Sequence, residues 1–152
     1  VLSPKKISKN FFLSKSEISS SINKNDKIDI NKPTKILNAL SKYDNAQSII
    51  SVDGYIIAIE AAEGTDNLIK RTVNIRKNLN QLNKKSGFLT KIPKKNQSKL
   101  IDLPVIGPKT IKLILKANLR GIAINTEMTM VYKKTELLKI TNENDLRIYD
   151  LC

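Results

Sequence analysis

Ser48-Ile49-Ile50-Ser51-Val52-Asp53-Gly54-Tyr55-Ile56-Ile57-Ala58-Ile59-Glu60 is the stretch that decides the fold. Two β-branched, apolar runs flank Asp53-Gly54, the strongest short hairpin signal, because Asp and Gly tolerate the positive φ of a tight primed turn. Working outward, Glu60-Ala61-Ala62-Glu63-Gly64-Thr65-Asp66 leads straight into a helical pattern. Its apolar face is Leu68, Ile69, Thr72, Val73, Ile75 and Leu79. Thr65 or Asp66 caps this helix, and Ser86-Gly87 stops it. Phe88 to Ile92 then reads as a buried strand, and residues 93–109 as a long polar loop with Pro104 and Gly107-Pro108.

The flanks repeat the alternation. Val1 to about Lys15 has no sustained period and reads as a linker, and residues 16–152 as one domain. Ser14 or Ser16 caps a short helix with Glu17 and Ile18. Asn31 caps a clearer one with Pro33 in its first turn and Ile36, Leu37, Leu40, Tyr43 and Ala46 as its stripe. Beyond the loop, Thr110 starts a helix closed at Arg120-Gly121. Gly121 to Ile124 is a strand with Met128 to Tyr132 beside it, Lys134 to Ile140 a short helix, and Arg147 to Leu151 the last strand. Strands alternating with helices around one hairpin predict an α/β fold: a three-layer α/β/α domain with a mixed β-sheet.

Composition removes several chemistries. The 152 residues contain no histidine, so the usual general base and every His-containing triad or zinc site are excluded. A lone Cys152 excludes a disulfide framework and a Cys-type zinc site. No apolar run approaches the ~20 residues of a membrane-spanning helix, and the N-terminal residues carry no signal-peptide h-region. The net charge of +13 invites a polyanionic partner. Only Arg71, Arg76, Arg120 and Arg147 of the 27 basic residues are arginine. That Lys-, Asn- and Ile-rich mix also follows from A/T-rich coding, which leaves much of the charge as a solvated face. The excess still favours contact with an acidic membrane surface.

The chemistry-bearing residues cluster in two runs, Glu60 to Asp66 and Lys94-Lys95-Asn96-Gln97-Ser98-Lys99-Leu100-Ile101-Asp102-Leu103-Pro104. Carboxylates and free amides where a strand gives way to a helix can hold a metal or a phosphate, and the ammonium groups of the second run suit phosphates. Cleaving a phosphoanhydride needs that inventory. Each residue also has a structural reading. Thr65 or Asp66 can simply cap, Gly64 permit the turn, and Asp102 occupy a turn before Pro104. Lys91, Lys94 and Gln97 can belong to a solvated basic segment, and Arg71 can be an exposed helical cation.

Val52-Asp53-Gly54, Ile59-Glu60-Ala61, Glu63-Gly64-Thr65-Asp66, Lys91, Lys94, Gln97, Asp102-Leu103-Pro104 and Ile106-Gly107 follow one another in an order and spacing that resembles the LpxI-type UDP-2,3-diacylglucosamine pyrophosphatases, from about Leu2 onward. The resemblance implies hydrolysis of UDP-2,3-diacylglucosamine to 2,3-diacylglucosamine 1-phosphate (lipid X) and UMP in lipid A biosynthesis. By the same likeness Asp102 is catalytic, as metal ligand or as base for water. Gly64, Thr65, Arg71, Lys91, Lys94 and Gln97 face the substrate, and Glu63, Asp66 and Asp102 bind Mg2+ or another divalent cation. The chain then reads as the C-terminal catalytic domain, separated from an N-terminal domain that forms the other wall of the site. Its expected place is the cytoplasm, peripheral at the inner face of the inner membrane of a Gram-negative bacterium. Two departures stand out: Lys95-Asn96 and Lys99-Leu100 occupy positions where Pro-Gly and Arg are usual, and Glu127 one where Gly is usual. Lysine keeps the charge but loses the bidentate fork.

A rival class is a non-catalytic basic α/β module that binds nucleic acid or a nucleotide. Aromatic content of 5%, scarce arginine and the absence of an RNA-binding signature argue against nucleic acid as the partner. Neither GxxxxGK[ST] nor GxGxxG occurs.

Overall fold

In the computed structural model, which describes residues 9–19, 21–93 and 103–152, the expected hairpin forms. Strands β1 (Ser48–Val52) and β2 (Tyr55–Ile59) pair antiparallel, and Asp53 (φ 50°) and Gly54 (φ 83°) both take left-handed conformations. That is the primed-turn geometry, matched to the right-handed twist of the strands. The register shifts between Ile50 and Ser51, leaving Ile57 as the extra residue of a bulge.

The remaining strands are β3 (Phe88–Lys91), β4 (Val105–Ile106), β5 (Gly121–Ile124), β6 (Met130–Val131) and β7 (Arg147–Asp150). The helices are α1 (Lys24–Leu40), α2 (Thr65–Asn78), α3 (Pro108–Lys116) and α4 (Lys134–Glu143). The main sheet has the order β2-β1-β3-β5-β7: β1 is antiparallel to both neighbours, and β3, β5 and β7 are parallel. Strands β4 and β6 form a separate parallel pair.

Side chains alternate across the sheet, and each face finds its own helices. Ile50, Val52, Leu89, Ile122, Ile124 and Ile148 pack on Leu68 and Ile69 of α2, Ile111 and Ile114 of α3, and Leu137 of α4. On the opposite face, Ile49 packs on Leu37 of α1, and Phe88 and Ala123 on its Ile30. The result is the expected α/β/α arrangement with a mixed sheet. Gly87 (φ 86°) admits no side chain, because a Cβ there would lie 2.4 Å from the Ser51 carbonyl.

Several boundaries differ from expectation. Helix α1 starts at Lys24, capped by Asn23, whose side chain accepts from Asp26 N–H (2.8 Å) while Asp26 accepts from Asn23 N–H. Pro33 is therefore interior to the helix, where it removes a hydrogen bond at a cost of roughly 3 kcal/mol. Long-range contacts offset that cost. One turn earlier, buried Asp29 accepts from Ser51 Oγ (2.8 Å), Asp53 N–H (3.0 Å) and Gly54 N–H (2.7 Å), tying α1 to the hairpin turn.

Helix α2 ends at Asn78, well before Ser86-Gly87, and α3 at Lys116, before Gly121. Both stop in Schellman geometry, with Asn80 (φ 55°) and Asn118 (φ 49°) in the left-handed position usually held by glycine. Gln81 N–H bonds Arg76 C=O and Asn80 N–H bonds Lys77 C=O, and Leu119 and Asn118 do the same at α3. Helix α3 begins at Pro108 rather than Thr110, since proline at the first position sacrifices no helical bond. The segment expected beside β5, Met128 to Tyr132, instead supplies β6 to β4, which forms inside the expected loop.

Arg76 locks these endings together. It is fully buried, and its guanidinium donates to the carbonyls of Gln81, Lys84, Ser86, Ala117 and Asn118 at 2.6–3.3 Å. Five C-terminal and loop carbonyls thus find one donor group.

Candidate active site

Strand register sets one polar row across the end of the sheet. Ser48 of β1 is opposite Lys91 of β3, Lys91 opposite Ile124 of β5, and Ile124 opposite Asp150 of β7. On the other flank, Glu60 follows β2 and its N–H bonds Ser48 C=O (2.9 Å). The row therefore runs Glu60, Ser48, Lys91, Ile124, Asp150 along the carboxyl ends of β2, β3, β5 and β7. In open α/β sheets this edge is where ligands bind.

Lys91 is the centre of the row. Only 5% of it is exposed, yet its Nζ donates to hydroxyls, Thr65 Oγ1 at 2.6 Å and Ser48 Oγ at 3.5 Å. Thr65 Oγ1 in turn donates to Glu60 Oε2 (3.2 Å) and lies 3.2 Å from Ser48 Oγ. Among the described residues no carboxylate pairs directly with Lys91. Burial pushes its pKa down, and the charges of Glu60 and Asp66 only partly restore it.

Thr65 is free for this because it does not cap. The N-cap of α2 is Gly64 (φ 78°), and no side chain caps the helix. The Thr65 hydroxyl turns to Lys91 and Glu60 instead, correcting the expectation that Thr65 or Asp66 caps. The first-turn amides, with the positive end of the helix dipole, thus lie next to a buried ammonium group. Both features favour an anion.

The flanking residues are already engaged. Arg71 donates to Ile59 C=O (3.0 Å) and to Glu63 Oε1, strapping the 60–63 turn to β2. Asp66 accepts from Thr110 Oγ1 (3.2 Å) and pairs with Lys109 (2.9 Å), joining the N-termini of α2 and α3. No three acidic or cysteine side chains among the described residues converge as a metal cage. Lys94, Gln97 and Asp102 lie outside the described residues. At the far end of the row, burial pushes Asp150 up but the Thr126 and Cys152 backbone N–H groups, at 3.1 and 3.2 Å, hold it net low. Asn125 Oδ1 accepts from Glu127 and Met128 N–H, so an asparagine side chain holds the turn around Glu127.

Residues 15–149 match the family model described as the LpxI C-terminal domain. The chain belongs to the LpxI family. It is 33% identical over 95 residues to a Caulobacter vibrioides protein named UDP-2,3-diacylglucosamine pyrophosphatase LpxI. That overlap covers 62% of this chain and 34% of the relative, so the LpxI-like region shared with it is about a third of the relative's length. Among the described residues no helix is long and apolar enough to cross a membrane.

Of the residues singled out from sequence, the fold brings Thr65, Asp66 and Lys91 around one corner, with Gly64 shaping it and Glu63 and Arg71 bracing its outer turn. Ser48 is not singled out by the sequence, and Glu60 stands there only as one carboxylate of its run, without an individual role. A polar residue opening an otherwise apolar strand, and a carboxylate closing the next, were the available signals; only strand register shows that they meet Lys91.

Proposed function

We propose that this chain is the catalytic C-terminal domain of an enzyme that hydrolyses UDP-2,3-diacylglucosamine to UMP and 2,3-diacylglucosamine 1-phosphate, a step of lipid A synthesis. The observation that carries the reading is Lys91: a buried ammonium held by hydroxyls at the carboxyl edge, beside the uncapped start of α2. Such a group is costly to bury and suits an oxyanion that arrives with the substrate. Membership of the LpxI family and the name of the Caulobacter vibrioides relative support this substrate class.

In this mechanism the Lys91 ammonium and the first-turn amides of α2 bind pyrophosphate oxygens, while Thr65 holds the ammonium in place. Water attacks the UMP-side phosphorus and gives up its proton. The bond to the bridging oxygen breaks, and that oxygen leaves with the acylated sugar phosphate. Asp102 either accepts the water's proton or helps hold the cation, with Lys94, Gln97 and Arg71 proposed to orient phosphates and sugar. Mg2+ typically uses one or two carboxylates plus substrate phosphates rather than a full cage, so Glu63 or Asp66, both near the start of α2, would supply a carboxylate to it, and Asp102 is proposed as the other. When bound, it neutralises developing phosphate charge. The N-terminal domain of the full protein forms the second wall, and the assembly acts in the cytoplasm at the inner-membrane surface, where its acylated substrate resides.

The test is UMP release from UDP-2,3-diacylglucosamine by the full-length protein, with and without exhaustive chelation. Release that stops on chelation and returns with Mg2+ is expected. Undiminished turnover without any divalent ion removes the cation from the proposal, and no release under either condition removes the activity.

A further inference from the structure

A groove of about 810 Å3 opens beside this corner, between α2, α3, the β4–β6 pair and the start of α4. Asp66 lies in its wall, so it begins where the candidate active site ends. Its floor is apolar, with Ile106 and Leu113, and its rim exposes Val105 (54%) and Tyr132 (59%). Five lysines surround that floor: Lys70 on α2, Lys109, Lys112 and Lys116 on α3, and Lys133 before α4. The spacing 109, 112, 116 places three of them on one face of α3.

Charge within the groove is far from balanced. Among the described residues its two carboxylates are Asp66, paired with Lys109, and Glu136, placed 3.6 Å from Lys112 and 4.0 Å from Lys133. Lys70 and Lys116 have no carboxylate partner among the described residues. The described surface is therefore cationic, with an apolar floor and the exposed side chains of Val105 and Tyr132 at its rim. That combination complements an anionic bilayer: ammonium groups meet headgroup phosphates, while valine and tyrosine enter the boundary with the acyl chains. Nucleic acid fits less well, because among the described lining residues Tyr132 at the rim is the one stacking platform.

We infer that the groove between α2, α3 and the β4–β6 pair is the face by which the protein sits on an anionic phospholipid bilayer. The inference deepens the membrane contact proposed above by naming the surface. It orients the carboxyl-edge site toward the lipid, so an acylated substrate reaches Lys91 with its chains still near the bilayer.

The experiment is co-sedimentation of the 152-residue chain with phosphatidylcholine vesicles with and without phosphatidylglycerol, in the absence of substrate. Failure here leaves the hydrolytic reading standing, and loss of hydrolysis leaves this binding measurable. Pelleting is expected only with phosphatidylglycerol and should weaken with salt. The triple variant Lys70→Glu, Lys112→Glu, Lys116→Glu should lower partitioning at least about tenfold. A control triple on the exposed side of α1, Lys24→Glu, Lys27→Glu, Lys35→Glu, changes net charge equally and should lower it less than about threefold. The chain has no tryptophan, so Tyr132→Trp gives a single reporter, whose emission should shift to the blue on anionic vesicles alone. Far-UV circular dichroism checks that each variant folds, and a Lys→Gln triple at the same groove positions replaces any that does not. Absence of pelleting, equal loss from both triples, or an unmoved reporter in a pelleting sample overturns the inference; binding only to acidic proteins assigns the groove to a different partner and does the same.

Discussion

Replacing Lys91 by methionine separates a residue kept for ligand from one kept for stability. Methionine retains the apolar stem within the buried space but removes the ammonium. The loss is the bond to Thr65 Oγ1 at 2.6 Å and the marginal one to Ser48 Oγ at 3.5 Å. Charged hydrogen bonds of this kind contribute about 1.5–3 kcal/mol. Against this stands the relief of burying an ion, several kcal/mol before compensation. Thr65 still bonds Glu60, and Ser48 Oγ remains near Thr65, so no hydroxyl is stranded. Lys91→Met should therefore unfold in urea within about 1 kcal/mol of wild type at neutral pH, or above it.

The pH dependence carries an independent sign. Burial depresses the folded pKa of Lys91 below its ordinary value of 10.5, so the unfolded chain binds that proton more tightly. Stability must then rise as pH climbs through the interval between the folded and unfolded values, and the burial penalty is fully present below it. The difference between wild type and Lys91→Met cancels the other lysines and tyrosines and should move in wild type's favour as pH rises toward 10.5. In the full-length protein the same variant should lower UMP release by about 10²-fold, the usual effect of deleting one oxyanion donor. A variant that loses more than about 2 kcal/mol at neutral pH, yet hydrolyses normally, would make Lys91 a structural strut and refute the reasoning.

Asp102→Asn in the full-length protein should reduce UMP release at least ~10²-fold with little change in the urea midpoint; a wild-type rate assigns Asp102 to a turn. Arg76→Met leaves five carbonyls without their buried donor and should cost about 4 kcal/mol or more by chemical denaturation, most of a typical domain's margin. A cost below about 1 kcal/mol would mean water replaces the guanidinium freely. If the N-terminal domain forms the second wall as proposed, the isolated 152-residue chain should fold but release little UMP, because the pyrophosphate would stay wet; adding the N-terminal domain in trans should restore activity. Robust turnover by the chain alone would place the whole site within it.

The layers of the fold were legible because they rest on periodicity: the Asp-Gly hairpin, alternating strands and 3.6-residue stripes each specify an element locally. Helix ends were not. Glycine was the stop signal sought, and the chain contains five glycines. Helices α2 and α3 stop instead at Asn80 and Asn118, and α4 at Asp145 (φ 45°), residues that tolerate the left-handed position at modest strain. Asn23 and Asp26 formed a readable capping pair three residues apart, but Pro33 pulled the expected helix start downstream. The tertiary bonds of Asp29 to the hairpin and the core packing of Ile30 and Leu37 hold the helix together around its interior proline.

The same division applies to the candidate site. Thr65, Asp66 and Lys91 were recognisable by type, since hydroxyls, carboxylates and ammonium groups at strand ends suit phosphates. Their relation depends on a pairing that no local signal carries. Ser48 and Lys91 are neighbours because β1 is antiparallel to β3, and Glu60 joins them because β2 folds back on β1. A one-residue slip of β3 against β1 would turn Lys91 to the α1 face and put Thr90 in its place. Apolar packing on both faces forbids that slip: Leu89 must face α2 to α4 while Phe88 meets Ile30 of α1. The buried ammonium is thus positioned by the hydrophobic alternation of its own strand. That is why mutation of Leu89 or Phe88, which touch no proposed ligand, should impair the site as directly as mutation of its polar residues.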